Sequence, residues 1–490
     1  MKDELDRRKL KELEPLFYPR SIAVAGASTN ELKMGSRWLK GLLSVNFKGD
    51  LYAVNPGGGQ VFGLKIYPSL KSIPGPVDLV ISCVPRAAVL DLLDDCAAKG
   101  IKAIQFFTAG FRETGDPKWI EVEEEMTRRA QKGGFRIIGP NCIGVSCPEQ
   151  GIPYGPSTIL SKAGSIGYIS QSGGHVGKMV EIGLTRGIRL SKAISMGNGC
   201  DLGSADFLEY LAVDPKTDII GLYLEGPRDS RRLFEAIRIT SGRKPIVVWK
   251  GGRTEAGARA TASHTGALAA SANVWSAALT QAGAIEVQGL EELADTLLLF
   301  QKLGQLKRSN VGIICGLTDG GGGEAVLAAD ACATLGVAVP PLTEKTHREL
   351  LSLLGQVGSV LCNPVDISQG YGNIETLRKT MELLAGDPQV DIIVLYENVD
   401  ILSRFVGKQM TDELNGTIIN FSHSQRIPLV AVLPPGSLET ERLEAEGRFV
   451  EAGLPVYPSI DRAARAIANV SRFRLRTKLQ RAAEEFRITR

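Results

Sequence analysis

Short β-branched runs recur along this chain at intervals of about two to three dozen residues, with helical patterns between them, and that alternation predicts parallel α/β domains. Three sets of runs are present. The first holds Ser21 to Ala25, Leu51 to Val54, Leu79 to Cys83, Ala103 to Phe107 and Arg136 to Ile138. Between its third and fourth runs, Val89, Leu92, Leu93 and Cys96 follow the 3.6-residue period of a helix lying on a sheet over Ala87 to Lys99. The second set holds Ser165 to Ile169, Leu190 to Ser195, Ile219 to Leu224, Pro245 to Lys250 and Ile285 to Val287. A Pro-, Gly- and Ser-rich stretch, Pro148 to Ala163, separates it from the first. After a basic stretch at Lys302 to Asn310 comes the third: Val311 to Cys315, Ile392 to Tyr396, Leu429 to Leu433 and Val456 to Tyr457. A length of 490 residues fits three domains. The expected division is an arm at 1–16 and domains at 17–147, 148–308 and 309–490.

Composition narrows the partners. The chain has 57 basic and 54 acidic residues, a net charge of only +3, so it lacks the concentrated basic face that phosphate-backbone binding requires, and nucleic acid is not an expected partner. The eight cysteines form no Cys-x-x-Cys pair, so no metal is expected in this chain. A charged start, Met1 to Lys11, has no apolar core after it, which argues against a secretory signal. With the scattered cysteines it predicts a cytoplasmic location. The longest uncharged stretch, Thr261 to Ile285, contains Ser263, His264, Asn273, Ser276, Thr280 and Gln281. It is too polar for lipid, and no membrane association is expected.

Ligands of open parallel sheets bind beyond the carboxyl ends of strands, so the loops after these runs are where chemistry belongs. Gly26-Ala27-Ser28, with Gly35 beyond it, allows close backbone approach to a phosphate at a helix start, although Gly26 also suits an ordinary tight turn. The third glycine of Gly-x-Gly-x-x-Gly is missing, which disfavours a nicotinamide cofactor, and no Walker A sequence occurs. Asn55-Pro56, Val84-Pro85 and Thr108-Ala109-Gly110 follow the next strands and would line the same crevice, suggesting a nucleotide-like ligand. In the second set, Ser170-Gln171-Ser172-Gly173-Gly174 leads from a strand into a helix and offers amides, hydroxyls and a helix dipole to an anion; the same composition makes a simple helix cap. Glu225 stands at the end of an apolar strand, where a carboxylate is costly without a partner, and Arg228 is one candidate for that partner. Finally, Gly251 to Leu268 reads as a mobile loop of small residues around a single imidazole, His264. The other three histidines, His175, His347 and His423, have no comparable surroundings, and His175 follows the anion loop into its helix.

In combination these segments resemble a family: the α subunits of ADP-forming acetyl-CoA and other acyl-CoA synthetases, related more distantly to the succinyl-CoA synthetase α subunit. The resemblance rests on the Gly26 and Thr108 loops, Gly139-Pro140-Asn141-Cys142, Ser170-Gln171-Ser172-Gly173, Glu225-Gly226, Ser263-His264-Thr265-Gly266, Gly320-Gly321-Gly322-Gly323-Glu324-Ala325 and Asn363-Pro364-Val365-Asp366, in the family's order. It implies a Rossmann-like CoA-binding domain followed by two flavodoxin-like domains. His264 matches the phosphorylated residue, Glu225 the carboxylate that orients it, and Ser170, Gln171, Ser172, Gly173 and Gly174 the phosphate-binding segment. Gly26, Ala27, Ser28, Gly35, Asn55, Pro56, Val84, Pro85, Thr108, Ala109 and Gly110 match the CoA crevice. The family's ATP-grasp fold, roughly 200 residues, finds no room in the three-domain assignment. A separate ATP-grasp β subunit holding ATP or ADP and Mg2+ is therefore implied, in an α2β2-type hetero-oligomer with a small carboxylic acid and phosphate as substrates. The alternatives are a CoA-binding regulatory protein of the same fold without turnover and, more remotely, a dehydrogenase.

Overall fold

The structure, a computed structural model, describes residues 2–157, 159–265, 271–304, 309–317, 321–355, 361–368, 372–424 and 427–488, except for the side chains of 2–5, 7, 262–265 and 476–488. The chain forms two compact units, residues 1–184 with 188–293, and residues 185–187 with 294–490. Among the described residues no helix is long and apolar enough to cross a membrane.

The first unit holds two sheets. Seven strands make the first: β1 Ser21–Ala25, β2 Asp50–Val54, β3 Gln60–Val61, β4 Leu64–Tyr67, β5 Leu79–Ser82, β6 Ala103–Phe106 and β7 Arg136–Ile138, in the order β3-β4-β2-β1-β5-β6-β7. All pairs are parallel except the β3–β4 hairpin. Every residue of β1, β5 and β6 is buried, as expected of strands covered on both faces by helices. The chain runs outward from β1 to β2 and β4, then returns to the other side of β1 as β5. The winding therefore reverses between β1 and β5, where the carboxyl ends open a crevice.

The second sheet contains β8 Gly144–Ser146, β9 Ile166–Ser170, β10 Leu190–Ser195, β11 Ile219–Leu224, β12 Ile246–Lys250 and β13 Ile285–Val287, in the order β13-β12-β11-β9-β10-β8. β8 is its antiparallel edge; the other five, counted from β9, have the flavodoxin order, with the reversal between β9 and β11. A continuous apolar core joins the two sheets through Leu13, Leu16 and Phe17 of the first helix, Lys2–Phe17, and Phe17 stacks on Tyr210 at 4.8 Å. The sequence reading does not distinguish β3, β4 and β8, each four residues or fewer.

The second unit is built on β14 Val311–Cys315, β15 Val365–Asp366, β16 Ile392–Tyr396, β17 Leu429–Val432 and β18 Val456–Tyr457, ordered β15-β14-β16-β17-β18. Counted from β14, this repeats the order of the second sheet. The α/β class with three parallel-dominated sheets agrees with the expectation from sequence. The likeness extends to a carboxylate: Glu397 follows β16 as Glu225 follows β11, each the third strand of its set.

Glu397 is only 1% exposed, and the Asn415 amide, turned with its nitrogen inward, donates to its two oxygens at 2.8 and 3.1 Å. Burial pushes its carboxyl up to about 8 from an ordinary 4.5, with Arg448 opposing the rise. A raised folded value makes the contribution to stability complete below about 4.5 and lost as pH climbs through about 8. Glu397→Gln is therefore expected to leave thermal unfolding nearly unchanged at pH 5 and to stabilise the chain at pH 9, on the order of 3 kcal/mol. Parallel melting curves of the two proteins across that range check it.

Candidate functional site

At the carboxyl edge of the first sheet the loops after β1, β2, β5 and β6 lie on adjacent strands, so the crevice residues named from sequence share one rim. Gly26 has φ +92°, and a Cβ there would lie 2.7 Å from the Cys83 carbonyl oxygen. Gly35, in the first turn of the helix Met34–Ser44, faces the same loop: its Cβ would lie 2.5 Å from the Gly26 oxygen and 2.6 Å from the Ala27 nitrogen. These glycines let helix and loop meet at backbone distance, and Ser36 fastens the junction by exchanging hydrogen bonds with the Ser28 amide and carbonyl at 3.0 and 2.8 Å. Asn55 accepts from the Gly57 amide, so the Asn55-Pro56 turn is self-stabilised. Thr108 donates to the Val84 carbonyl at 2.6 Å, tying the loops after β6 and β5 together beside Pro85.

The Thr108-Ala109-Gly110 loop is already satisfied in part. Glu113 accepts from the amides of Gly110 and Phe111, at 2.6 and 3.1 Å, and Arg86 donates to the Gly110 carbonyl while its guanidinium lies 3.9 Å from the Trp119 ring. Glu113 and the buried Glu123 both accept from the Asn198 amide, and Glu123 also pairs with Arg112 and Arg228. Arg228, offered from sequence as the partner of Glu225, thus pins its loop to the helix Pro117–Gly133 of the first sheet instead.

The second constellation sits at the reversal between β9 and β11. Ser170 accepts from the Ser172 amide at 3.0 Å and donates to its carbonyl at 2.8 Å, making a tight turn that opens the helix Gly173–Arg186. Ser172 Oγ accepts from the His175 amide at 3.4 Å, as a helix cap does. Among the described residues no acceptor meets the amides of Gly173 and Gly174. A serine that caps the helix leaves its first-turn amides without a protein acceptor. Gln171 turns away from that opening: its Oε1 accepts from the amides of Glu225 and Gly226 at 2.5 and 2.9 Å, and its Nε2 donates to the Gly226 carbonyl at 3.0 Å.

Glu225 is 6% exposed and accepts from the Tyr223 hydroxyl at 3.1 Å. Burial and the neighbouring carboxylate push that phenol well above its ordinary value. The rings of Tyr223, His175 and Trp249 form a mutual cluster, with centroids 4.3, 4.5 and 4.6 Å apart, so His175 packs against the strands. Lys250 donates to the main-chain carbonyls of Glu225, at 2.7 Å, and Gly251. The sequence pattern does not single out Tyr223, whereas Lys250 carries the same signal as Glu225, a charge at the end of an apolar strand.

The segment after β12 is not the small-residue loop expected from sequence. Glu255–Thr265 is an α-helix, with Thr254 accepting from the Gly257 amide and Arg259 paired to Glu255 at 2.6 Å. Alanine is the best helix former, and Ala256, Ala258, Ala260 and Ala262 outweigh Gly257. His264 lies in the last turn of this helix; its side chain, like those of Ser263 and Thr265, and all of Gly266 and Gly320, fall outside the described residues. In the second unit a Cβ at Gly316 or Gly321 would lie 2.3 Å from Asp366 Oδ1, so the glycine-rich helix start packs on the Asn363-Pro364-Val365-Asp366 turn.

Comparisons with known proteins give the family. Residues 20–148 match the CoA binding domain family and residues 163–300 the succinyl-CoA ligase like flavodoxin domain family. The ADP-forming acetate–CoA ligase II subunit alpha of Pyrococcus furiosus is 36% identical over 447 residues, covering 91% of this chain and 94% of that protein. The chain belongs to the ADP-forming acetate–CoA ligase family. Another member, ADP-forming acetate–CoA ligase I of Archaeoglobus fulgidus, is 38% identical over 382 residues, and the match spans 78% of this chain but only 54% of that protein. Among solved structures, the Ca. Korarchaeum cryptofilum dinucleotide forming acetyl-coenzyme A synthetase 1, in complex with phosphate and ADP, superposes with a TM-score of 0.82 at 29% identity, over 95% of this chain and 97% of that one.

Within this family assignment Gly35 offers a direct test of the crevice. Gly35→Ala puts a methyl group against backbone atoms that cannot rotate away, and is expected to weaken CoA binding at least about tenfold by titration calorimetry while lowering the melting temperature by several degrees.

Proposed function

We propose that this chain is the α subunit of an ADP-forming acyl-CoA synthetase, in which CoA occupies the β1–β5 crevice and His264 carries a phosphoryl group between chemical steps. The crevice fits CoA because Gly26 and Gly35 bring backbone amides to a phosphate at a helix start. A carboxylate oxygen of the acid attacks the phosphorus of phospho-His264, the P–N bond breaks, and its electron pair returns to the imidazole, giving an acyl phosphate. The CoA thiolate then attacks the acyl carbon; the C–O bond to phosphate breaks, and acyl-CoA and inorganic phosphate leave. Both steps depend on position and charge stabilisation more than on any reactive group of the protein.

The observation that carries this reading is the meeting of an anion-ready helix start, Ser170 to Gly174, with a buried carboxylate, Glu225, at one topological reversal, and the helix that bears His264 following the next strand. A carboxylate on one imidazole nitrogen fixes the tautomer and makes the other nitrogen the nucleophile. The acid is a small carboxylic acid. An ATP-grasp β subunit is the source of the phosphoryl group and holds ATP or ADP and Mg2+, in an α2β2-type assembly. All eight cysteines are free thiols, six of them buried, which suits a reducing cytoplasm.

The test needs no partner. The chain is incubated with labelled orthophosphate and, in turn, acetyl-, isobutyryl-, phenylacetyl- and succinyl-CoA. An acid-labile, base-stable label on the protein is expected with at least one of them. CoA binding without label from any of the four would support the regulatory reading in its place.

A further inference from the structure

Three side chains around Glu225 make contacts that packing alone does not explain. Gln171 spends its whole amide on the Glu225-Gly226 main chain, with two bonds accepted and one donated. Its own main-chain amide donates to the Tyr223 carbonyl at 3.3 Å, so the β9 and β11 loops are cross-linked at the one point where Glu225 leaves the sheet. Tyr223, on the strand that leads into Glu225, donates its hydroxyl to Oε1, and its ring packs against His175 and Trp249. Gly251 makes room for that hydroxyl, since a Cβ there would lie 2.7 Å from it.

Lys250 is the most informative of the three. It is 6% exposed at the last position of an otherwise apolar strand, paired in register with Leu224, and burial lowers its proton affinity. A buried ammonium costs free energy that a leucine or methionine at the same place would not. Its two carbonyl partners explain what it does there. One belongs to Glu225 and the other to Gly251, the first residue of the segment that leads to the His264 helix, and the Trp275 ring lies 5.4 Å away. A single charge thus clamps the root of both loops.

We propose that Gln171, Tyr223 and Lys250 are positioning residues that hold the Glu225 carboxylate, and the base of the His264 segment, in the geometry for phosphohistidine formation. The proposal rests on the functional reading above. It assigns Gln171 to the carboxylate loop and not to the bound anion. Among the described residues, the charged and titratable groups facing this point are Tyr223 on β11, bonded to the carboxylate, and Lys250 on β12, bonded to the Glu225 carbonyl, with His175 of the helix after β9 against Tyr223 and Arg253 of the loop after β12 near Lys250.

The experiment is nucleotide-free labelling of the full chain from acyl-CoA and labelled phosphate, as a single-turnover rate between pH 5.5 and 9, for wild type, Tyr223→Phe, Gln171→Met and Lys250→Met. Each variant is expected to label about tenfold more slowly with unchanged CoA affinity. Tyr223→Phe removes a single oxygen, so it carries the test should Lys250→Met fail to fold. Wild-type labelling rates in folded Tyr223→Phe and Gln171→Met would overturn the brace. A wild-type chain that takes no label with any acyl-CoA while binding CoA overturns the functional reading itself, and the brace with it.

Discussion

His264→Ala is expected to take up no acid-labile phosphate, a loss of at least about a thousandfold against wild type. An imidazole phosphoramidate hydrolyses in acid and survives base, whereas phosphate on Ser263 or Thr265 would behave the opposite way, so the label reports which neighbour was modified. Position sharpens the expectation. His264 lies in the last described turn of the helix Glu255–Thr265. An anionic phosphoryl group is stabilised by main-chain donors, and the amides at the start of the helix Gly173–Arg186 have the right sign. CoA affinity of the variant should match wild type, because the crevice is built on the first sheet. Wild-type labelling in His264→Ala would move the carrier to another residue and end the proposed route.

The second large effect is expected at Glu225. Glu225→Gln keeps the shape and the main-chain bonds to Gln171 and Lys250, and removes only the charge. Labelling should slow about a hundredfold, since an amide presents the imidazole with a mixture of donor and acceptor and no longer fixes one tautomer. Stability should move the other way. A carboxylate that is 6% exposed is costly to bury, so the neutral variant is expected to melt at the same temperature or higher. Slower labelling with undiminished stability separates a chemical role from a structural one. Labelling at the wild-type rate would show that Glu225 does not orient the nucleophile.

The sequence and the structure agree most closely on the buried parallel strands. Ser21–Ala25, Arg136–Ile138, Leu190–Ser195, Ile219–Leu224, Ile285–Val287, Val311–Cys315 and Ile392–Tyr396 begin and end where their runs do, and Ile219–Leu224 and Val311–Cys315, buried at every position, carry no charged residue, as strands covered on both faces require. The short strands behave differently. The β3–β4 hairpin turns on Phe62 and Gly63, both at positive φ, and a phenylalanine there gives none of the usual Asn-Gly or Asp-Gly signal. β8, three residues long, becomes a strand only because β10 offers it an open edge. In the Gly251 to Leu268 segment the small residues suggest a loop, yet the alanines among them make the helix Glu255–Thr265. Glu225, legible as a charge ending an apolar run, has its setting decided by Gln171, 54 residues away, and by Lys250, 25 residues away.

What the sequence determined alone was the α/β class, the places of the long strands and the set of loops in which chemistry could occur, because periodicity and glycine placement are local properties of the chain. What the tertiary structure decided was which of those loops meet. Strand order puts the ends of β1 and β5, and of β9 and β11, side by side, and strand order follows from non-local packing that no local pattern encodes. Pairing of charges is decided in the same way: Arg228, three residues from Glu225, is held instead by Glu123, because the geometry of two sheets and not distance along the chain selects its partner.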